Sequence, residues 1–281
     1  MRLKSEEIPI VVRFVRESCG LVLDETKGYL IESRLSTLVE QYGCTDYAQL
    51  CTRARADRQL ASKVVDAITT QETLFFRDNS PYNALQYKAL PELIDAKAGS
   101  PFAKRLRIWS AACSTGQEPY SIAMLLLETL PDPHSWNVSV LGTDISDEAV
   151  ARASRGHYAE HEVRRGLPPA KLQKYFHAEG NGWRINDEVR SLVSFRRLNL
   201  LEPLTPLGTF DIIFCRNVAI YFDAPTRDDL FLRLAERLSP EGYLFTGSSE
   251  SLSNLGPRFA PQHHCQAVFY RPGAPQHAAQ A

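Results

Sequence analysis

The sequence predicts an open α/β domain of the ligand-binding kind, preceded by a small all-α domain. Three observations carry that prediction. Residues 107–121, RIWSAACSTGQEPYS, read as a strand, a sharp turn and the start of a helix. Two further apolar runs, 138–141 and 211–215, end in polar residues, as buried parallel strands do where they empty into a ligand crevice. Residues 1–78, by contrast, show helical periodicity and little β-branched alternation.

The overall composition narrows the classes. At 281 residues there is room for one large α/β domain and a smaller one. A net charge of −1 supplies no field that would draw the chain to nucleic acid or to an anionic membrane. The start, MRLKSEEIPI, lacks an apolar core of signal-peptide length. No run approaches the roughly 18 apolar residues of a membrane span, so the expectation is a cytoplasmic protein without membrane insertion. Six cysteines (Cys19, Cys44, Cys51, Cys113, Cys215 and Cys265) show no C-x-x-C spacing and read as free thiols in a reducing compartment.

In chain order, Ile10, Val11, Phe14 and Val15 line one face of a first helix, and Leu30, Ile31, Leu35, Leu38 and Val39 one face of a second. Asp46 and Asp57 are placed to cap two more. Arg53, Arg55, Arg58 and Lys63 cluster with only Asp57 among them. That is either a solvated helix face or a docking surface for an acidic partner. Residues 69–80, TTQETLFFRDNS, lie between the bundle and the first strand, where they can fold over the corner at 107–121. Arg77 can hold a ligand carboxylate in a bidentate pair there, unless it is an ordinary surface arginine.

The corner itself has six small residues, Ala111 to Gly116, that let the backbone turn and approach a ligand. Pro119 suits a first helical turn, and the apolar run after Tyr120 packs the helix on a sheet. Such a turn aims backbone N–H groups at whatever binds. Glu118 stands at its mouth. The run Val138 to Leu141 leads through Gly142-Thr143 to Asp144, where a carboxylate can accept both hydroxyls of a ribose or merely cap the helix starting at Ser146. The turn is not the G-x-G-x-x-G of a dinucleotide site, and an acid beside it would repel a pyrophosphate. A nucleoside without phosphates fits better, and S-adenosyl-L-methionine, with ribose, adenine and a cationic sulfonium, meets the description.

Beyond Asp144 a helix leads into a connection too long for a simple crossover, and His157 and His161 stand four apart with no third metal ligand arranged beside them. Residues 183–197, after Gly180-Asn181-Gly182, alternate like small antiparallel strands, giving a β-subdomain at about 178–197. Asn199 and Leu200 fall at a strand end on the adenine side. Asp211 to Cys215 form a buried strand that empties into Arg216-Asn217, with Tyr221 following. A helix at 227–238, a turn at Pro240-Glu241-Gly242, the strand in GYLFTGSSES and a closing antiparallel strand at 266–270 complete the domain at about 271. The tail 272–281 has no apolar pattern and reads as disordered.

Together TLFFRD, IWSAACSTGQEPYSIA, GTDIS, FCRNVAIYF and the SES of GSSES resemble the CheR family of chemotaxis receptor methyltransferases, over nearly the whole chain from about Glu6 to Arg271. The resemblance implies an all-α receptor-docking domain at 1–78, then at 79–271 a Rossmann-like class I methyltransferase domain with a small antiparallel β-subdomain. It implies methyl transfer from S-adenosyl-L-methionine to glutamates on the cytoplasmic helices of methyl-accepting chemotaxis receptors, with S-adenosyl-L-homocysteine as product. By position, Gln71, Thr73 and Arg77 match the family's cofactor-closing segment, with glutamine where asparagine is expected. Glu118 and Asp144 match its acidic contacts, Asn199 and Leu200 its adenine-side pair, and Arg216 and Asn217 its strand-end pair. Ser248 replaces an expected histidine. Tyr221 is the candidate to orient the acceptor carboxylate, and Arg77 to bias its approach.

Two departures concern the receptor. The family's second helix carries consecutive basic residues, whereas here Arg34 is followed by LSTLVE, so Arg34 is kept as a docking candidate and Arg53, Arg55, Arg58 and Lys63 are expected to compensate for the rest. Some members add a C-terminal receptor pentapeptide as a strand to the β-subdomain edge. Their turn is longer than Gly180-Asn181-Gly182, and loop length sets hairpin geometry, so a monomer acting without that tether is expected. The alternatives left open are a methyltransferase for another protein or a small acid, and a cofactor-binding adaptor without turnover.

Overall fold

The computed structural model describes residues 2–98 and 104–273. The expected disordered tail lies, beyond Gly273, outside them.

Four helices form the N-terminal bundle: α1 (Ile8–Cys19), α2 (Gly28–Gln41), α3 (Tyr47–Ala56) and α4 (Arg58–Ile68). Val11, Phe14 and Val15 meet Ile31, Leu35 and Val39 in its core, while Ile10 is 38% exposed, one position off the buried stripe. Asp46 and Asp57 are the caps expected: each carboxylate accepts from the first turn, Asp46 from the Gln49 amide at 2.7 Å and Asp57 from the Gln59 amide at 2.8 Å.

The second unit runs α5 (Ser80–Ala84), α6 (Leu90–Ala98), β1 (Arg105–Ala111), α7 (Gln117–Thr129), β2 (Asn137–Asp144), α8 (Asp147–Arg155), β3 (His157–Ala159), α9 (Glu160–Arg164), α10 (Pro169–Tyr175), β4 (Phe176–Glu179), β5 (Gly182–Ile185), α11 (Asp187–Arg190), β6 (Val193–Arg197), β7 (Phe210–Cys215), α12 (Ala224–Ala235), β8 (Leu238–Thr246), β9 (Phe259–His264) and β10 (Ala267–Pro272). A seven-stranded sheet has the order β6-β2-β1-β7-β8-β10-β9. The first five are parallel and β10 is antiparallel to both its neighbours. Helices cover both faces because these strands are apolar on both sides, β7 without a single exposed residue. Phe214, Phe245 and Phe269 stack across β7, β8 and β10 with centroids 4.5 and 4.9 Å apart. From β1 the chain steps outward to β2 and β6, then returns to β1's other side as β7. That reversal opens a crevice at the carboxyl ends of β1 and β7.

Three expectations are corrected. The β-subdomain is not 178–197: its sheet, ordered β3-β5-β4, spans 157–185, and β6 pairs parallel with β2 in the large sheet. His157 and His161 lie on β3 and α9 rather than four apart on one helix. Pro240-Glu241-Gly242 is a bulge within β8, whose register jumps from Phe210 opposite Leu238 to Ile212 opposite Tyr243. Among the described residues no helix is long and apolar enough to cross a membrane.

Candidate functional site in the seam of the two units

The turn after β1 is bent hard. Ala112, Ser114 and Gly116 have φ of 56, 51 and 94°. The left-handed region strains the first two, while Gly116 is required, since a Cβ there would stand 2.8 Å from that of Ala153. Phe76, Asp78 and Asn79, in the segment over the turn, and Asn217, after β7, also have positive φ. Backbone strain is therefore gathered around one crevice, which is where binding and catalytic sites hold it.

The turn's amides do not point at a ligand as expected. Cys113 N–H donates to the Thr143 carbonyl at 2.9 Å, Gly116 N–H to Cys113 at 3.1 Å and Ser114 N–H to Asp144 Oδ2 at 2.8 Å. Their use is to fix Asp144. Its Oδ1 accepts from Ser146 N–H at 3.0 Å, and the cap of α8 is Ser146, whose hydroxyl accepts from Ala149. Asp144 is thus no helix cap. Burial pushes its carboxyl above the ordinary range against the pull of these amides and Gln71.

Glu118, in the first turn of α7, accepts from Ser110 Oγ at 2.8 Å and from Arg216 Nη1 at 3.0 Å. Burial raises its carboxyl too, with Arg216 and Ser110 opposing. Arg216 has a side chain only 1% exposed and spends Nη2 on Asp78 Oδ2 at 2.7 Å and the Arg77 carbonyl at 3.0 Å. Arg216 lines the cleft as expected, and its guanidinium also braces Glu118 and the strained 76–79 turn. Asn199 lines the cleft beside Leu200, its side chain donating to the Ser18 carbonyl at 2.8 Å and accepting from Leu201 N–H at 3.1 Å. That amide ties the strand end to α1.

The remaining candidates come together in the same cleft, which holds about 960 Å³ of space including its open mouth. Glu118, Asp144, Leu200 and Asn217 line it from the sheet, and Gln71, Thr73 and Arg77 from the covering segment. Tyr221, 39% exposed, stands at the rim. Arg77 uses one donor on the Glu72 carbonyl at 3.1 Å and keeps the rest.

Residues missed by sequence reasoning complete the wall. Cys19 and Leu21, at the end of α1, face the cleft, and Val22 N–H donates to the Tyr221 carbonyl at 2.8 Å. No local pattern marks them, because the contact is made by a loop of the other unit. Glu250 was legible only as part of a motif, with no role attached.

Arg34, the docking candidate on α2, is half-buried. Its guanidinium donates to the Ile68 carbonyl, closing α4, and to Thr70 Oγ1 at 3.3 Å. Arg53, Arg55, Arg58 and Lys63 are exposed, but Arg55 pairs with Glu17 at 2.9 Å and Lys63 lies 5.3 Å from the Tyr42 ring centroid.

The cleft suits a cationic nucleoside. It offers two buried carboxylates and an unpartnered buried oxygen, Gln71 Oε1, and its one buried arginine is already paired. Such a wall favours positive charge and hydroxyl donors over phosphates. Comparison with known proteins decides the class. Residues 71–267 match the family model "CheR methyltransferase, SAM binding domain", and residues 6–69 match "CheR methyltransferase, all-alpha domain". The chain belongs to the CheR methyltransferase family. It is similar to chemotaxis protein methyltransferase 1 of Pseudomonas aeruginosa, 44% identical over 263 residues that cover 92% of this chain and 94% of that protein. It is also similar to the chemotaxis protein methyltransferase of Vibrio parahaemolyticus, 41% identical over 269 residues, covering 92% and 94%. As a CheR enzyme it is an S-adenosylmethionine-dependent methyltransferase of chemotaxis, and the Rossmann-like class I fold expected of it is the one observed.

Proposed function

We propose that this CheR enzyme methylates glutamate side chains on the cytoplasmic helices of methyl-accepting chemotaxis receptors, forming methyl esters and S-adenosyl-L-homocysteine. The observation that carries the reading is a pair of donors, Arg77 and Tyr221, lining a cleft whose wall also holds two buried carboxylates, Glu118 and Asp144.

A glutamate, with a pKa of about 4.3, is ionised at neutral pH and needs no base. When bound, the cofactor supplies a methyl carbon on a cationic sulfur, which a carboxylate oxygen can take directly. The protein's part is holding, orienting and excluding water. Asp144 would hold the ribose hydroxyls, and Glu118 the ammonium end. Gln71, Thr73 and Arg77 close over them, with Leu200 and Asn217 on the inner wall. Tyr221 would orient the acceptor by one hydrogen bond. Arg77 serves better on the cofactor's carboxylate than on the acceptor, since a tight pair would blunt the nucleophile.

Docking is assigned to Arg53, Arg55, Arg58 and Lys63, without a pentapeptide tether, by a cytoplasmic monomer. The two-residue turn at Gly180-Asn181 between β4 and β5 supports the tether-free reading, since loop length sets the register and twist of the hairpin whose β4 forms an open edge of the sheet. Transfer of labelled methyl to receptor-containing membranes, released by mild base, tests the reading. Base-stable label would place the methyl on nitrogen or carbon, and binding without label would make the chain an adaptor.

A further inference from the structure

The loop after β7 carries Asn217 and Tyr221 into the cleft, yet it has almost no regular structure of its own. Asn217 is left-handed at φ 58°, and only a three-residue turn, Ala219–Tyr221, follows. Amides 217, 218 and 220 therefore need acceptors from elsewhere. One side chain supplies them all. Glu250 Oε2 accepts from Asn217 N–H at 2.8 Å, and Oε1 from Val218 at 3.1 Å and Ile220 at 3.2 Å. Oε2 also accepts from Gly247 N–H at 2.7 Å, closing the turn that bears it. Glu250 is 4% exposed, and among the described residues no lysine or arginine pairs with it, so four main-chain dipoles balance its charge.

The turn is built around that carboxylate. Thr246 Oγ1 donates to the Glu250 carbonyl at 2.9 Å, and Glu250 N–H to that of Gly247 at 2.9 Å. A Cβ on Gly247 would stand 2.6 Å from Glu250 Oε2 and 3.0 Å from the Asn217 nitrogen. We propose that Glu250 is a positioning residue for methyl transfer: it sets where Tyr221 meets the acceptor, while Asp144 and Glu118, the cofactor's carboxylate contacts, stand on other elements. The proposal rests on the reading of Tyr221 as the acceptor's orienter.

Glutamine cannot replace Glu250, because one of its two ends is a donor and would face two amide N–H groups in either orientation. Glu250→Gln should lower kcat by about 100-fold, the cost of a misplaced group near the chemistry. The dissociation constant for S-adenosylhomocysteine should change much less than kcat, since Asp144 and Glu118 sit on β2 and α7 and only Asn217 of the cofactor wall rides on this loop. Tyr221→Phe alone should cost about tenfold, one hydrogen bond's worth. The double variant should be no worse than Glu250→Gln, because side chains acting as one unit are not additive. Multiplying losses, or a cofactor affinity that falls with kcat, would overturn the role of Glu250. A silent Tyr221→Phe would instead overturn the reading of Tyr221. Should Glu250→Gln fail to fold, Thr246→Val removes the supporting hydroxyl without touching a charge. It must show the same coupling to Tyr221→Phe at smaller amplitude, and an unchanged kcat there refutes the proposal.

Discussion

Replacing Arg216 with methionine isolates what holds the floor of the cleft. The guanidinium has two anionic partners of unequal weight. Asp78 has a side chain 44% exposed, so that pair is screened and contributes under about 1 kcal/mol. Glu118 is 11% exposed along its side chain, and removing its arginine leaves an uncompensated buried charge, which costs roughly 3–5 kcal/mol. For a chain of this size that lowers Tm by roughly 6–20 °C. The pH dependence separates this cause from lost packing. Glu118 is already raised by burial, so the native state binds a proton that the unfolded chain releases. Its contribution is therefore present at low pH and lost as pH rises from the unfolded carboxyl pKa through the folded one. Without Arg216 the folded pKa rises further, so the deficit should be small near pH 5 and full at pH 8. Urea denaturation at the two pH values, without added cofactor, measures it. A second substitution, Glu118→Gln, should recover most of the loss at pH 8. An equal deficit at both pH values, unrelieved by Glu118→Gln, would refute the charge argument.

Asp144→Ala should weaken S-adenosylmethionine and S-adenosylhomocysteine alike, by about 1.5–3 kcal/mol for each charge-assisted bond lost, and unchanged calorimetric affinity in a folded variant removes Asp144 from the site. Reversing Arg55 and Arg58 to glutamate should slow receptor methylation while cofactor affinity stays intact. Unaffected methylation at low salt, where steering is strongest, makes that cluster a solvated face. Titrating a free receptor C-terminal pentapeptide into the protein should give no heat, and micromolar binding would overturn the tether-free assignment.

The parallel core was legible because its strands are continuous apolar runs ending in polar residues. Strand β6 misled for the opposite reason. It is the outermost strand of the large sheet, so VSFRR is buried on one face only and alternates as a small antiparallel strand would. The true subdomain strands, three or four residues each, are too short to carry a period. At the site, sequence marked which polar residues gather but not which partners hold each of them. Arg216 and Asn199 stand at strand ends like Asp144, and what distinguishes them is a partner more than 90 residues away in each case: Glu118 for one, Ser18 for the other.

The seam explains why those residues are polar at all. A crevice at a sheet's carboxyl edge is open on one side, and here the end of α1 closes it with Cys19 and Leu21. Leu21 pairs as an antiparallel bridge with Phe222, one residue beyond Tyr221, and Arg16 pairs with Asp223 one residue further. The loop bearing Tyr221 is therefore held from below by Glu250 and from outside by the helical unit, where Arg55 of α3 pairs with Glu17 near the same end of α1. On the docking proposed above, a bundle joined to the rim in this way sets the distance between receptor contact and the transferred methyl, and loosening the seam, as Asn199→Ala would by freeing Ser18, then bears on how often a docked glutamate meets the cofactor.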